Sequence, residues 1–376
     1  MEPLPAWAVA LCGGAIGCVI GYAARRGRLC TFGALEDAFL AGSFRRLKVL
    51  AVALGIAILL TQILILTGAL APETIRYLPT HLAWLSILVG GLIFGFGMAL
   101  VGTCAFGSLV RLGSGDLRSL VTILVYAIIA LAVLRGGLAP FRVGYLESQN
   151  IALPGGVQAD LAALLSWLWG FETRAGVMVV LVALLFGWAF AKRDIFGTPR
   201  LLASGLALGV GAAMAWVVTG VLADEMTLIV EPRGLTFVAP VADTLQAIAL
   251  PGQSMWTFGI CSVFGVVVGA CLASIRHAEF RWEAYDDARE MKRHIAGGAM
   301  MGLGGVLAGG CTIGQGVTAG SVLALSWFLA VGGMAIGARI GLLYLLSGLR
   351  LRDLLVAWPW PAILTPRHRR TDTGGR

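Results

Sequence analysis

The sequence predicts an all-α polytopic membrane protein of about nine transmembrane helices plus re-entrant half-helices, arranged as two inverted repeats in an hourglass-like bundle. Three observations predict it. The chain is 58% hydrophobic and only 13% charged, with a mean hydropathy of +0.88, well outside the range of soluble domains. Its apolar runs are long, frequent and rich in glycine and alanine, which favours packed helices over the short alternating strands of a barrel. One motif, Gly-x-Cys-x-x-Gly, is also written twice, at Gly102-Thr103-Cys104-Ala105-Phe106-Gly107 and at Gly309-Gly310-Cys311-Thr312-Ile313-Gly314.

Taking apolar runs of about 17 to 25 residues as spans, the first extends from Trp7 to Ala24, the second from Leu47 to Leu70 and the third from Ala83 to Gly102. The fourth is Leu117 to Leu138, the fifth Ala175 to Ala191 and the sixth Leu201 to Leu222. Met255 to Ile275, Ile295 to Gly309 and Ser321 to Ser347 complete the set. Between them lie apolar pieces too short to cross: Cys30 to Gly42, Thr103 to Leu112, Gly156 to Leu168, Val238 to Leu250 and Thr312 to Gly320. A bilayer tolerates such pieces only where protein or a water-filled cavity satisfies their backbone. Gly156 to Leu168 reads equally well as an interfacial helix, because Trp167 and Trp169 suit a headgroup belt.

Aligning Cys104 with Cys311 sets an offset of 311 − 104 = 207 positions. At that offset Gly90, Gly91, Gly95, Gly97, Gly102, Gly107 and Gly113 fall on Gly297, Gly298, Gly302, Gly304, Gly309, Gly314 and Gly320. Glu36 falls on Asp243, while Cys30, in the third core Cys30-Thr31-Phe32-Gly33, falls on Phe237. Residues 1–139 thus form a first repeat of four spans and two short helices, 140–199 a linker with the fifth span, 200–349 the second repeat, and 350–376 a basic tail. Four spans plus one is odd, so the second repeat enters from the opposite side, the plan of many transporters.

Orientation follows from Lys and Arg, of which 22 of 28 lie on one side and five on the other, with Arg339 inside the last run. The positive-inside rule makes the first side cytoplasmic, the N-terminus outside and the C-terminus inside. The net charge of +8 is then a topology signal and implies no nucleic acid. The start, Met1 to Pro5, lacks a basic n-region, so no cleavable signal is expected.

Seven cysteines without zinc spacing and four unclustered histidines predict no metal centre and no cofactor. Cys12, Cys18, Cys261 and Cys271 read as small core residues inside spans. Cys30, Cys104 and Cys311 sit instead at breaks before short helices. There, glycines free the backbone amides and the positive helix end favours an anion. Soft thiols beside such ends suit a small sulfur-bearing anion, and Gly102, Thr103, Gly107, Gly310, Thr312, Gly314 and Gln315 complete the turns. Glu36, an acid on a segment expected to re-enter the bilayer, joins the candidate site.

These three cysteine motifs resemble those of the YeeE/YedE family of sulfur-compound transporters, over nearly the whole membrane region. The resemblance implies a prokaryotic inner-membrane protein that takes up thiosulfate. It implies passage between cysteines by transient hydrogen bonds, with Cys311 acting from outside, Cys104 near the centre and Cys30 toward the cytoplasm. It also implies membrane lipid and a separate cytoplasmic TusA-like sulfur carrier as partners. Some family members are associated with selenium, so transport of selenium compounds stays open. So does a membrane thiol enzyme moving sulfane sulfur or redox equivalents, although no Cys-x-x-Cys pair supports it. A scaffold for the carrier is a third reading.

Overall fold

The computed structural model describes residues 4–223, 232–250 and 257–347; the expected basic tail, 350–376, and Met255 at the expected start of the seventh run fall outside them. The described chain is built on helices, with one two-residue antiparallel ladder that joins His81–Leu82 to Ile151–Ala152. In order the helices are α1 (Ala6–Gly27), α2 (Thr31–Leu40), α3 (Arg45–Leu66), α4 (Trp84–Val101), α5 (Ala105–Gly113), α6 (Leu117–Leu134), α7 (Ala139–Phe141), α8 (Leu161–Trp169) and α9 (Arg174–Phe190). Then come α10 (Pro199–Trp216), α11 (Val238–Ala249), α12 (Phe258–Arg276), α13 (Ala288–Leu307) and α14 (Leu325–Ser347), with a π-helical turn at Gly314–Ala319.

Among the described residues seven helical stretches are long and apolar enough to cross a membrane, consistent with a multi-pass membrane protein. Two of the nine expected spans are absent from that set for physical reasons. The fifth, α9, has 17 residues. The eighth forms the later part of α13, whose first two turns carry Arg289, Glu290, Lys292 and Arg293. The five short apolar pieces correspond to α2, α5, α8, α11 and the Gly314–Ala319 turn.

Local chemistry sets the boundaries. Asp116, Asp160 and Asp287 start α6, α8 and α13 by accepting a hydrogen bond from the amide two residues on, and Thr257 starts α12 in the same manner, from Ile260. α4 ends at Gly102, whose φ of +75° is the left-handed cap that glycine adopts without strain.

Packing depends on backbone proximity between small residues. α1 lies on α12 along Gly13, Gly17 and Gly21, one every fourth residue, and a Cβ on Gly17 would stand 2.3 Å from the Ser262 carbonyl oxygen. α4 packs on α13 in the same way: a Cβ on Gly97 would come within 2.7 Å of the Gly297 carbonyl oxygen, and one on Gly304 within 2.6 Å of the Gly90 carbonyl oxygen. Without a hydrophobic drive between helices in lipid, such close packing is what holds them together.

Candidate functional site

Each of the three motif cysteines caps a helical turn. Cys30 and Cys104 stand in extended backbone at the N-caps of α2 and α5, and Cys311 precedes the Gly314–Ala319 turn. In every case the sulfur accepts a hydrogen bond from the glycine amide three residues on: Gly33 N–H at 3.5 Å, Gly107 N–H at 3.3 Å and Gly314 N–H at 3.4 Å. This is the N-cap geometry of serine or aspartate carried out by sulfur, and it accounts for the Cys-x-x-Gly spacing. Cys104 and Cys311 are fully buried, and Cys30 is half-buried.

The motifs converge on one another. Both Cys30 Sγ and Cys104 Sγ stand 3.5 Å from the point a Gly107 Cβ would occupy, and that same point is 2.3 Å from Thr103 Oγ1. Glycine at 107 therefore lets the two thiols and a hydroxyl share one small space. Thr103 Oγ1 lies 3.7 Å from Cys30 Sγ. Thr31 Oγ1 and Thr312 Oγ1 are hydrogen-bonded at 2.9 Å, which joins the Cys30 turn to the Cys311 turn across the bundle. Phe237, at the place where the 207-residue offset would put a fourth cysteine, packs its ring on Phe106 with centroids 5.1 Å apart. Both rings are buried.

Cationic side chains lie beside two of the motif turns. Beside Cys30, the Arg46 guanidinium reaches to 2.7 Å from where a Gly33 Cβ would be and pairs with Asp37 at 3.3 Å. Arg111 donates to the Gly102 carbonyl at 2.9 Å. On α11, Asp243 is held by Arg135 and Arg233 at 2.6 and 3.6 Å. Tyr77, in the loop between α3 and α4, has its hydroxyl 3.3 Å from the position of a Gly314 Cβ. Burial, reinforced by Cys311, pushes the Tyr77 phenol above its ordinary value, so it keeps its proton and can donate to an anion.

A profile of the family described as "Sulphur transport" matches residues 26–340, which hold all three cysteine turns. The chain belongs to that family. It is 28% identical over 338 residues to the thiosulfate transporter TsuA of Escherichia coli (strain K12), covering 85% of this chain and 90% of the relative. It is 25% identical over 320 residues to the thiosulfate transporter TsuA of Spirochaeta thermophila, covering 84% and 92%.

Two further expected residues of this family member, Gln315 and Glu36, lie outside the contacts just described. Gln315 braces its turn: its Nε2 donates to the Ala308 carbonyl at 2.7 Å and its Oε1 accepts from Ser326 at 3.3 Å, which leaves one N–H of the amide available. Gly310 leaves room for that brace, since a Cβ there would be 3.3 Å from the Gln315 amide nitrogen. Glu36 lies nearly two turns into α2, away from the capped end, and the ion pair to Arg46 is made by its neighbour Asp37. The sequence reading passed over Tyr77, Thr236 and Tyr126. Tyr126 stands in the middle of the fourth apolar run, which also carries Ser119 and Thr122, so no sequence signal singled it out.

Proposed function

We propose that this chain carries thiosulfate, or a closely related sulfur anion, inward across a prokaryotic cytoplasmic membrane, handing it from Cys311 to Cys104 to Cys30 by transient hydrogen bonds. The observation that carries this reading is the convergence of three sulfur-capped helix starts in a chain of the sulphur transport family. Thiols and free amides at helix starts can exchange hydrogen bonds with an anion without covalent chemistry. Arg46 and Arg111, near the Cys30 and Cys104 turns, raise the local anion concentration. No nucleotide-binding loop is present in the sequence, so a gradient, or consumption by a separate sulfur carrier inside, would drive net uptake.

The reading includes two inverted repeats, 1–139 and 200–349, with the N-terminus outside. Reciprocal contacts support it. Gly97 meets Gly297 and Gly90 meets Gly304, and the 207-residue offset converts each of these pairs into the other. A two-fold relation between the halves requires such an exchange. The series long, short, long, long, short, long of α1 to α6 also recurs from α10, α11, α12, α13 and the π turn to α14.

One observation favours a second reading. Cys30 and Cys104 are distant in sequence but share the space over Gly107, as a resolving pair in a thiol enzyme would. Uptake of labelled thiosulfate, sulfate and selenite in cells lacking their own routes separates the cases. Hydrogen-bonded passage predicts thiosulfate uptake that survives in part in Cys104→Ser and is lost in Cys104→Ala. A persulfide trapped on wild-type Cys104 during turnover would establish the enzyme instead, and equal uptake with and without the protein would end the transport reading.

A further inference from the structure

Among the described residues three buried side-chain oxygens have no hydrogen-bond partner: Thr61 Oγ1, Tyr126 Oη and Thr236 Oγ1. Folded proteins satisfy nearly all such groups, and each exception calls for a physical reason. Thr61 lies on α3, next to Gln62, whose amide donates to the Ser321 carbonyl. Of the other two, Thr236 approaches the Cys311 turn and Tyr126 is buried in the same core as Cys104 and Cys311.

Tyr126 occupies the middle of α6. It is 0% exposed and belongs to the same packed cluster as Cys104 and Cys311. The helix packed against it, α13, leads directly into the Cys311 turn. Close approach of α13 fixes its backbone, because a Cβ on Gly302 would stand 2.6 Å from the Tyr126 carbonyl oxygen. Thr236 reaches the Cys311 turn from the start of α11. Its Oγ1 is 2.6 Å from the position of a Gly314 Cβ, on the residue whose amide caps Cys311.

A hydroxyl kept dry and unpartnered is costly, and replacing Tyr126 by Phe would remove that cost at almost no change in shape. Retention of these hydroxyls, Tyr126 unpartnered and Thr236 facing the same point over Gly314 as the Tyr77 hydroxyl, fits a partner that arrives and leaves. Thiosulfate presents two unlike ends, a terminal sulfur that makes weak contacts and three oxygens that accept charge-assisted hydrogen bonds. The thiols suit the first end, and O–H donors suit the second.

We infer that Tyr126 and Thr236 form the oxygen-binding half of the translocation site, donating to the oxyanion oxygens while Cys104 and Cys311 take the sulfur end. This rests on the transport reading above. It assigns the bundle interior two kinds of donor, soft and hard, so that the anion is recognised by both of its ends.

The test uses the full chain, purified and reconstituted in vesicles, with labelled thiosulfate as the probe. Tyr126→Phe and Thr236→Val are compared with wild type for the KM of uptake, and Thr61→Val serves as the third unpartnered hydroxyl, outside the proposed pair. The inference expects KM for thiosulfate to rise about tenfold or more in each of the first two variants and to stay unchanged in Thr61→Val. Thermal unfolding in detergent adds a reading that a merely structural role would not give: the melting temperature of Tyr126→Phe should equal or exceed that of wild type. Wild-type KM in both Tyr126→Phe and Thr236→Val would overturn the inference and leave transport standing. No uptake by wild type above empty vesicles would instead remove the transport reading, and the inference with it.

Discussion

The Thr31 hydroxyl meets that of Thr312 at 2.9 Å across 281 residues of sequence. Each threonine directly follows a motif cysteine, so this hydroxyl pair is the polar link between the Cys30 turn and the Cys311 turn. Valine at either position keeps the side-chain shape and strands the opposite hydroxyl. Each single substitution should cost about 1 kcal/mol, and the double variant less than the sum of the two. Denaturation of the four proteins in detergent measures the coupling; strict additivity would show that the hydroxyls do not interact.

The glycines that end each Cys-x-x-Gly core are held by close approach. Alanine at 107 would bring a Cβ to 2.3 Å from Thr103 Oγ1, and alanine at 314 one to 2.6 Å from Thr236 Oγ1. Gly107→Ala and Gly314→Ala should each destabilise by about 1–3 kcal/mol through overpacking and depress uptake further than that loss alone accounts for. Wild-type melting and uptake in both would contradict the proximity of these hydroxyls to the thiol turns.

Phe237 stands where the 207-residue offset would place a fourth cysteine. Its ring fills the fourth place by packing on Phe106 at a centroid distance of 5.1 Å. Phe237→Cys would complete the sequence symmetry but leave a cavity, at a cost of about 3 kcal/mol or more. The expected result is a lower melting temperature without faster uptake. A stable variant with raised uptake would mean that the site prefers four thiols.

Outside the long apolar spans, Asp160 is fully buried, caps α8 through the Ala162 amide at 3.0 Å and pairs with Arg174 at 2.5 Å. Arg174→Met would leave that carboxylate buried without its partner and should cost about 3–5 kcal/mol; adding Asp160→Asn should recover part of it. Burial outweighs the pull of Arg174 and holds the Asp160 carboxyl above its ordinary value. The folded state therefore binds this proton more readily than the unfolded chain does. The resulting stability is fully present below the unfolded value and is lost as pH rises through the folded one. The margin of wild type over Asp160→Asn should thus grow on acidification, as read from paired melting curves; a margin that shrinks would show that the ion pair dominates.

Run length and composition made the bundle legible in the sequence, because crossing a hydrocarbon layer demands long apolar stretches wherever they occur. The capped turns were legible too, as Cys-x-x-Gly, since the cap bond joins residues three apart. What the chain did not announce was which residues meet from different helices. Cys30 and Cys104 converge through the space over Gly107, and no local pattern encodes that. Gln315 was expected at the site for its amide; that the amide also braces its own turn, against Ala308 and Ser326, is a contact no local pattern encodes. Tyr126 and Thr236 stand out only when every buried polar atom has been matched to a partner, which requires the packed structure. The nine-span reading met a similar limit at α13, where helix formation continues past the apolar run into Arg289 and Lys292.

The most direct measurement of the central claim is uptake of labelled thiosulfate into vesicles holding purified wild-type protein or Cys104→Ala. Passage along the thiols predicts saturable uptake by wild type that excess unlabelled thiosulfate blocks, that sulfate blocks poorly, and that falls to the level of empty vesicles in Cys104→Ala. Uptake of equal rate in wild type and Cys104→Ala would contradict it.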